Sequence, residues 1–470
     1  MTTIIWFQRD LRVQDNPALK YASQLQLPIL PIYIFDPEED RNWSMGSSSR
    51  WWLHYSLQSL QKNLRALGLD LFFFQGTTLH ALQKIINKAD AKHIVWNYCY
   101  EPSVLMREKK LMIASAKNCI AKRFHANLLF APAQMTTKQG SPYQVFTPFW
   151  RCCLKQEIGK PEGKVTKKLR LAKYSKGVSL NTLDLLPHIP WAQDFPFLWK
   201  PGEDSALKKW KYFLKIKIHQ YAHRRDFPAE MGTSMLSPHL HFGEISIKRI
   251  FEDLSKNAHL EVFLREIGWR EFAYHLLTAF PYTPSKPLKV EFTHFSWKRN
   301  VKWLKAWQKG MTGIPIVDAG MRQLWQLGWM HNRVRMIVAF FLVKDLNVPW
   351  QEGAKWFWDT LIDADLANNT LGWQWCAGCG ADAALYFRIF NPFTQGKKFD
   401  PKAEYVRQFV PELKKLPNSC IHTPHLTPKS ILEEAGVYLG KNYPYPINHD
   451  LARKEALQIY HRWNRHGYKS

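Results

Sequence analysis

Between Trp356 and Asp400 the chain reads WFWDTLIDADLANNTLGWQWCAGCGADAALYFRIFNPFTQGKKFD. Two carboxylates (Asp363, Asp365), two carboxamides (Asn368, Asn369) and two tryptophans (Trp373, Trp375) fall within thirteen residues, followed by Arg388 and the pair Lys397 and Lys398. Carboxylates and carboxamides resist burial unless they find hydrogen-bond partners, so polar groups this dense between aromatics imply a pocket for a polar ring system. Cys376 and Cys379 add a CxxC, but no second pair at zinc spacing accompanies it, and no metal site is expected.

Three further runs carry chemistry-bearing residues. RRDFPAEMGTSMLSPHLHFGEIS, from Arg224, contains Gly232-Thr233-Ser234 and then Ser237-Pro238. Serine at the cap with proline at the first helical position predicts a helix start, and hydroxyls beside such a terminus suit phosphate. In EIGWREF, residues Glu266, Trp269 and Arg270 share one helical face by their spacing of three and four, read as a cleft wall. In GWMHNRVRM, the arginines Arg333 and Arg335 stand among apolar neighbours beside Asn332 and Met336 and call for a carboxylate partner, with Asp363 or Asp365 the natural candidate. Residues two apart on a helix point in different directions, so one aspartate can hold an arginine while the other accepts from a ring N–H.

The elements that position these groups follow from patterning. At 470 residues the chain exceeds the size at which one core keeps growing, so more than one domain is expected. Residues 1–130 alternate apolar runs (TIIWF, PILPIYIF, DLFFF, HIVW, NLLF) with helical stretches, predicting a doubly wound α/β domain with a parallel sheet covered on both faces. Its first strand leads into Phe7-Gln8-Arg9-Asp10-Leu11-Arg12 rather than a GxGxxG, so the usual dinucleotide fingerprint is absent. Residues 131–204 break into prolines, glycines and basic residues, nine lysines or arginines against two glutamates between Arg151 and Lys176, and read as a long linker over the surface. From 205 to 470 helical periodicity dominates, and ten of the 21 tryptophans lie between Trp297 and Trp375; the unusual chemistry is therefore expected in an all-helical second domain.

Lysine and arginine outnumber aspartate and glutamate by 65 to 39, a formal charge of +26, while the charged fraction is an ordinary 22%. This excess of sign points to a polyanionic partner, nucleic acid before membrane. Neither an apolar signal segment after Met1 nor a run of about eighteen apolar residues is present; with seven unpatterned cysteines, this predicts a cytoplasmic protein without a disulfide framework.

Taken together, WFQRDLRVQDNPAL, RDFPAEMGTSMLSPHLHFGEIS, EIGWREF, TGIPIVDAGMRQLWQLGWMHNRVRM and LIDADLANNTLGWQWCAGCGADAALYFRIFNPFTQGKKFDP resemble the photolyase/cryptochrome flavoproteins, most closely the class I cyclobutane pyrimidine dimer photolyases of bacteria. The resemblance spans nearly the whole chain. It implies FAD in the helical domain, with Tyr221, Arg225, Thr233, Ser234, Met235, Leu236 and Ser237 around its phosphates, and Arg270, Asn332, Arg335, Asp363, Asp365 and Asn369 also at the cofactor. Asp365 matches the acceptor for a flavin ring N–H, Asp363 the partner of Arg335, and Asn369 the residue facing the flavin N5 position. A neutral amide there adds no charge; plant photoreceptor relatives carry Asp and insect ones Cys, so Asn369 favours the repair branch.

The activity implied is light-driven splitting of a cyclobutane pyrimidine dimer flipped out of the duplex, base extrusion being how an enzyme reaches a base inside the stack. Trp269 and Trp375 would stack on the dimer, Glu266, Asn332 and Met336 would touch its bases, and Arg333, Arg388 and Lys397 would hold phosphates. Trp373, Trp350 and Trp297 match the family's electron relay. Repair of (6-4) lesions would call for histidines at 332 and 336; a photosensory cryptochrome without repair activity, expected to lose the stacking tryptophans or add a signalling tail, is the alternative. In folate-binding relatives an Asn-Glu pair follows the fourth strand, whereas YEPSVLMRE here puts Ser103 and Val104 at those places. A second, antenna chromophore is still expected, methenyltetrahydrofolate or else a deazaflavin, in a monomer that binds dimer-containing DNA and no membrane.

Overall fold

The computed structural model describes residues 1–40, 42–115, 119–175, 177–255, 260–386 and 388–465. Five runs form strands: β1 (Thr2–Phe7), β2 (Ile29–Phe35), β3 (Phe72–Gln75), β4 (Ala91–Asn97) and β5 (Ile120–Phe124). All pairings are parallel, in the order β3-β2-β1-β4-β5, with Ile4 opposite both Leu30 and Ile94. Every residue of β1 and β2 is buried, which is why these strands read as unbroken apolar runs: helices α1 (Pro17–Gln24), α2 (Ser47–Ala66), α3 (Thr78–Lys88) and α4 (Pro102–Ser115) supply the crossovers that cover a parallel sheet. The fifth strand is not NLLF. It is the preceding IAKRF, a half-exposed edge strand without an apolar run. Leu129 and Phe130 are buried, but their N–H groups donate to the Glu271 carboxylate (2.9 and 3.3 Å) instead of to a neighbouring strand.

Beyond β5 the regular elements of the described residues are helices: α5 (Phe146–Cys153), α6 (Phe195–Leu198), α7 (Glu203–Tyr212), α8 (Tyr221–Arg224), α9 (Ser237–His241), α10 (Ile247–Ser255), α11 (Glu261–Ala279), α12 (Val301–Gln308), α13 (Pro315–Leu327), α14 (Asn332–Phe340), α15 (Trp350–Thr360), α16 (Leu366–Ala377), α17 (Pro392–Phe399), α18 (Glu404–Phe409), α19 (Lys429–Glu434) and α20 (His449–Arg465). Among the described residues no helix is long and apolar enough to cross a membrane. The chain packs as two compact units that do not follow chain order. One comprises Met1–His219, Ser234–Pro281 and Ile362–Ala367, the other Gln220–Thr233, Tyr282–Leu361 and Asn368–Ser470.

In the first unit the loop after β1 is tied to the helices that follow. Arg12, 1% exposed, donates to the carbonyls of Asp15, Ala126 and Gly243 (2.8–3.2 Å). Gly243 has φ +64°, and a Cβ there would lie 2.1 Å from the Arg9 carbonyl, so the end of α9 can approach this loop only as glycine. The sheet order reverses between β1 and β4, the place where open α/β sheets bind ligands. At the carboxyl ends of those strands Asp10 accepts from Asn97 Nδ2 (2.6 Å) and from the Gln8 N–H (2.7 Å), and Arg9 pairs with Glu101. Within 131–204, read as a connector, α5 buries Phe146, Phe149, Trp150 and Cys153, with Trp150 packed on Gly268 of α11, where a Cβ would sit 2.8 Å from the indole.

Candidate active site

In the first unit α11 carries Glu266, Trp269 and Arg270 on one face, as their spacing requires. Trp269 is half-buried and lies parallel to Phe146 of α5. Arg270 pairs not with Glu266 but with its neighbour Glu271 (3.3 Å), and its guanidinium lies over the Tyr274 ring at 5.2 Å. Burial pushes the Glu271 carboxyl up to about 7, against the pull of Arg270 and two backbone N–H donors.

Ser237 does not cap a helix with its side chain: α9 begins at Ser237, and its hydroxyl donates to Asp363 Oδ2 at 2.6 Å. Asp363 and Asp365 lie in the turn before α16, not on a helix, and both are buried. They do address different partners. Asp365 accepts from the Tyr274 hydroxyl and from His241 Nδ1 (3.1 Å). Desolvation holds the Tyr274 phenol far above its usual range, and desolvation with the nearby Arg9 charge holds His241 below its own, so the tyrosine stays a donor and the imidazole stays neutral. Side chains of α9 thus hold both carboxylates, and α11 adds Tyr274 to Asp365. Met235, in the turn that enters α9, adopts φ +52°, and Leu236 N–H donates to Ser234 Oγ (3.4 Å).

In the second unit Asn332 opens α14, capped by His331, whose Nδ1 accepts from Arg333 N–H (3.2 Å). Arg333 pairs with Asp226 (2.8 Å), and it also covers Phe399 at 4.5 Å and reaches Met336 Sδ at 3.8 Å. Arg335 Nε donates to the Met330 carbonyl (2.7 Å). In the segment around α8 the Arg225 guanidinium lies over the Tyr221 ring at 5.4 Å.

On α16 the Asn369 Nδ2 donates to the Ala354 carbonyl (3.0 Å). Trp373 is buried edge-on to Phe357 (5.0 Å) and Trp307 (6.1 Å), while half-buried Trp375 meets the edge of Phe340. Trp350 is buried at the start of α15, and half-buried Trp297 packs on Phe295 at 4.6 Å. Arg388 is exposed, as is Lys397 in the last turn of α17, whose start is capped by Asn391. Cys376 and Cys379 are free, buried thiols pushed up to about 12 by desolvation. Such thiols are poor nucleophiles.

Two family descriptions match the chain, DNA photolyase over residues 3–165 and the FAD binding domain of DNA photolyase over residues 263–462. A deoxyribodipyrimidine photo-lyase of Agrobacterium fabrum is 45% identical over 467 residues, 97% of each chain. Cryptochrome-1 of Arabidopsis thaliana is 37% identical over 465 residues, 95% of this chain and 68% of that one. Among solved structures, a bacterial class III photolyase from Agrobacterium tumefaciens superposes with TM-score 0.94 at 44% identity, covering 99% of this chain and 98% of that one. The chain belongs to the photolyase/cryptochrome family.

Its FAD-binding domain is therefore a family domain, and each unit carries donors of a kind that suits a flavin. In the first unit buried Asp365 supplies a carboxylate acceptor fixed by neutral donors, with Ser234 in the turn before α9 and Ser237 at its first position; in the second unit Asn369 supplies an uncharged amide and Arg225 a cation suited to phosphate. Reading the sequence for this family site missed Tyr274, His241 and Phe146. Tyr274 stands four residues after Arg270 on α11, a usable signal; the other two are brought in by tertiary packing.

Proposed function

We propose that the chain is a light-dependent DNA repair enzyme that splits cyclobutane pyrimidine dimers extruded from the duplex. The observation that carries this is Trp269, half-buried on a solid aromatic backing, as a stacking wall for an extruded base requires; the 45% identity to a deoxyribodipyrimidine photo-lyase supports it. Trp269 and Trp375 stack against the lesion, Glu266, Asn332 and Met336 touch its bases, and Arg333, Arg388 and Lys397 hold the backbone. Tyr221, Arg225, Thr233, Ser234, Met235, Leu236 and Ser237 hold the FAD phosphates, and Arg270, Asn332, Arg335, Asp363, Asp365 and Asn369 surround its rings. When bound and reduced, FAD supplies an electron to the lesion under light and takes it back. Asp363 pairs with Arg335, and Asn369 faces the flavin N5 position with an amide that adds no charge. Trp373 and Trp350 are both buried and Trp297 is half-buried, which supports Trp297 as the outer member of the electron relay.

The 44% identity to a protein titled a bacterial class III photolyase supports placing this chain beside that one, where the motifs alone pointed to class I. The antenna, methenyltetrahydrofolate or a deazaflavin, belongs at the strand-order reversal beside Gln8, Arg9 and Glu101. The structure of an archaeal photolyase from Sulfolobus tokodaii is titled as holding two FAD molecules, with the implication of a novel light-harvesting cofactor; an absorption spectrum of the purified protein tells a folate, a deazaflavin and a second flavin apart. The enzyme acts in the cytoplasm as a monomer, with domains at 1–130 and 205–470 joined through 131–204.

The second reading, a cryptochrome photoreceptor, is favoured by the 37–38% identity to Arabidopsis cryptochromes. Ultraviolet-irradiated oligothymidylate under blue light, with the flavin chemically reduced, separates the two. Loss of dimers is expected, and their persistence would sink the repair reading.

A further inference from the structure

Four rings of the first unit form a file of which the site described above uses only Tyr274. Tyr274 and Tyr100 have ring centroids 6.0 Å apart, Tyr100 and Tyr98 5.7 Å, and Tyr98 and His125 4.3 Å, the last two pairs stacked within 15° and 11°. Burial falls along the file: Tyr274 and Tyr100 are buried, Tyr98 is half-buried and His125 is exposed. Each inner phenol also has a base. Tyr274 donates to Asp365, and the Tyr100 hydroxyl lies 2.7 Å from His125 Nδ1.

A phenol gives up an electron readily only when its proton has somewhere to go, and a hydrogen-bonded neutral imidazole is a suited acceptor. His125 is such an imidazole. Partial burial and the charges of Arg123 and Lys248 disfavour its cation, so Nδ1 offers a lone pair to the Tyr100 O–H, and its exposure lets the proton pass on to water. A core tyrosine needs a hydrogen-bond partner too, but not one that is a base, opens to solvent and lies at the end of a stacked file.

We propose that Tyr274, Tyr100 and Tyr98 form a tyrosine relay between Asp365 and the surface at His125, separate from Trp373, Trp350 and Trp297, with Tyr100 as its radical trap. Loading the trap removes one electron from the Tyr100 ring; the O–H bond breaks and an N–H bond forms on His125, leaving a neutral tyrosyl radical and an imidazolium. The electron goes to a one-electron oxidant, either light-excited oxidised flavin beside Asp365 or an oxidised metal complex in solution at the His125 end. An ascorbate-class reductant returns the electron, and the proton moves back. The Arg123 guanidinium, 4.1 Å above Tyr98, disfavours a hole on that ring, so the radical rests on Tyr100. Only the choice of oxidant at Asp365 rests on the proposed flavin site.

The test is electron paramagnetic resonance of the frozen protein. In flavin-loaded, oxidised Trp373→Phe protein, illumination should give a tyrosyl signal that narrows with ring-deuterated tyrosine and is lost on adding Tyr100→Phe. Photo-oxidised ruthenium tris(bipyridine) should give the same Tyr100-dependent signal with or without flavin, formed more slowly in D2O unless His125 is changed to Phe. Repair by chemically reduced Tyr100→Phe enzyme should be unchanged. A signal that survives Tyr100→Phe, or none with either oxidant, overturns the relay. A Tyr100 radical from ruthenium alone overturns the path to Asp365 where the flavin bands are present; where they are absent, the relay is supported and the flavin reading fails.

Discussion

Trp269 lies flat on Phe146, with ring centroids 3.9 Å apart and planes within 8°. One face of the indole is thereby covered by a buried ring, so its orientation is set before any base arrives. Trp269→Ala should weaken binding to dimer-containing DNA by about 1–3 kcal/mol, the usual worth of one base–aromatic stack, and leave intact duplex nearly untouched, because phosphate contacts do not read the lesion. Phe146→Leu keeps the indole but frees its plane, so a smaller loss of the same selectivity is expected. Equilibrium binding to irradiated and intact duplexes measures both; equal weakening on the two DNAs would contradict the stacking role.

Gly353 of α15 faces the Trp373 ring so closely that a Cβ would lie 2.0 Å from it. Gly353→Ala should therefore destabilise by about 1–3 kcal/mol through overpacking, outweighing a helix-propensity gain of roughly 1 kcal/mol. Gly372, on α16, is exposed, and a Cβ there would meet nothing within 4 Å. Gly372→Ala should stabilise by about the propensity gain alone. Urea midpoints that move in the same direction for the two variants would refute the packing argument.

The sheet was legible because fully buried strands must be continuous apolar runs, and Thr2–Phe7 and Ile29–Phe35 are such runs. The fifth strand was misplaced for the same reason: NLLF looked the part, while the true edge strand, IAKRF, is polar enough to face water on one side. The shared helical face of Glu266, Trp269 and Arg270 was legible by spacing. Partners were not. Arg333 joins Asp226, 107 residues away in sequence, and Asp365 joins Tyr274 and His241; no local pattern encodes such pairs. Phe146 escaped notice because its flanks, rich in prolines and lysines, read as a connector.

Arg388 and Lys397 are exposed cations on a chain of charge +26. If each neutralises one DNA phosphate, Arg388→Ala and Lys397→Ala should each flatten the slope of log affinity against log salt by about 0.9. Damaged and intact duplex should weaken alike. Titrations at several salt concentrations test this, and an unchanged slope, or a loss confined to damaged DNA, would remove these residues from the phosphate contacts.

Lys344 is buried, its ammonium donating to the Ala377 carbonyl (3.1 Å) and lying 3.3 Å from the centre of the Tyr386 ring. Desolvation pushes its amine down to about 7. An unfolded lysine titrates near about 10.4, so between about 7 and 10 the native state holds fewer protons than the unfolded chain and stability must rise with pH. Below that window both states carry the proton, and the native state bears the full cost of the buried charge. Lys344→Met keeps the side-chain length and removes the charge, losing one hydrogen bond worth about 1 kcal/mol. It should be more stable than the wild type near pH 6, by a net on the order of a few kcal/mol, and the advantage should shrink or reverse toward about pH 10. Urea midpoints of both proteins across that range measure the difference; a gap that does not change with pH would mean that Lys344 does not titrate there.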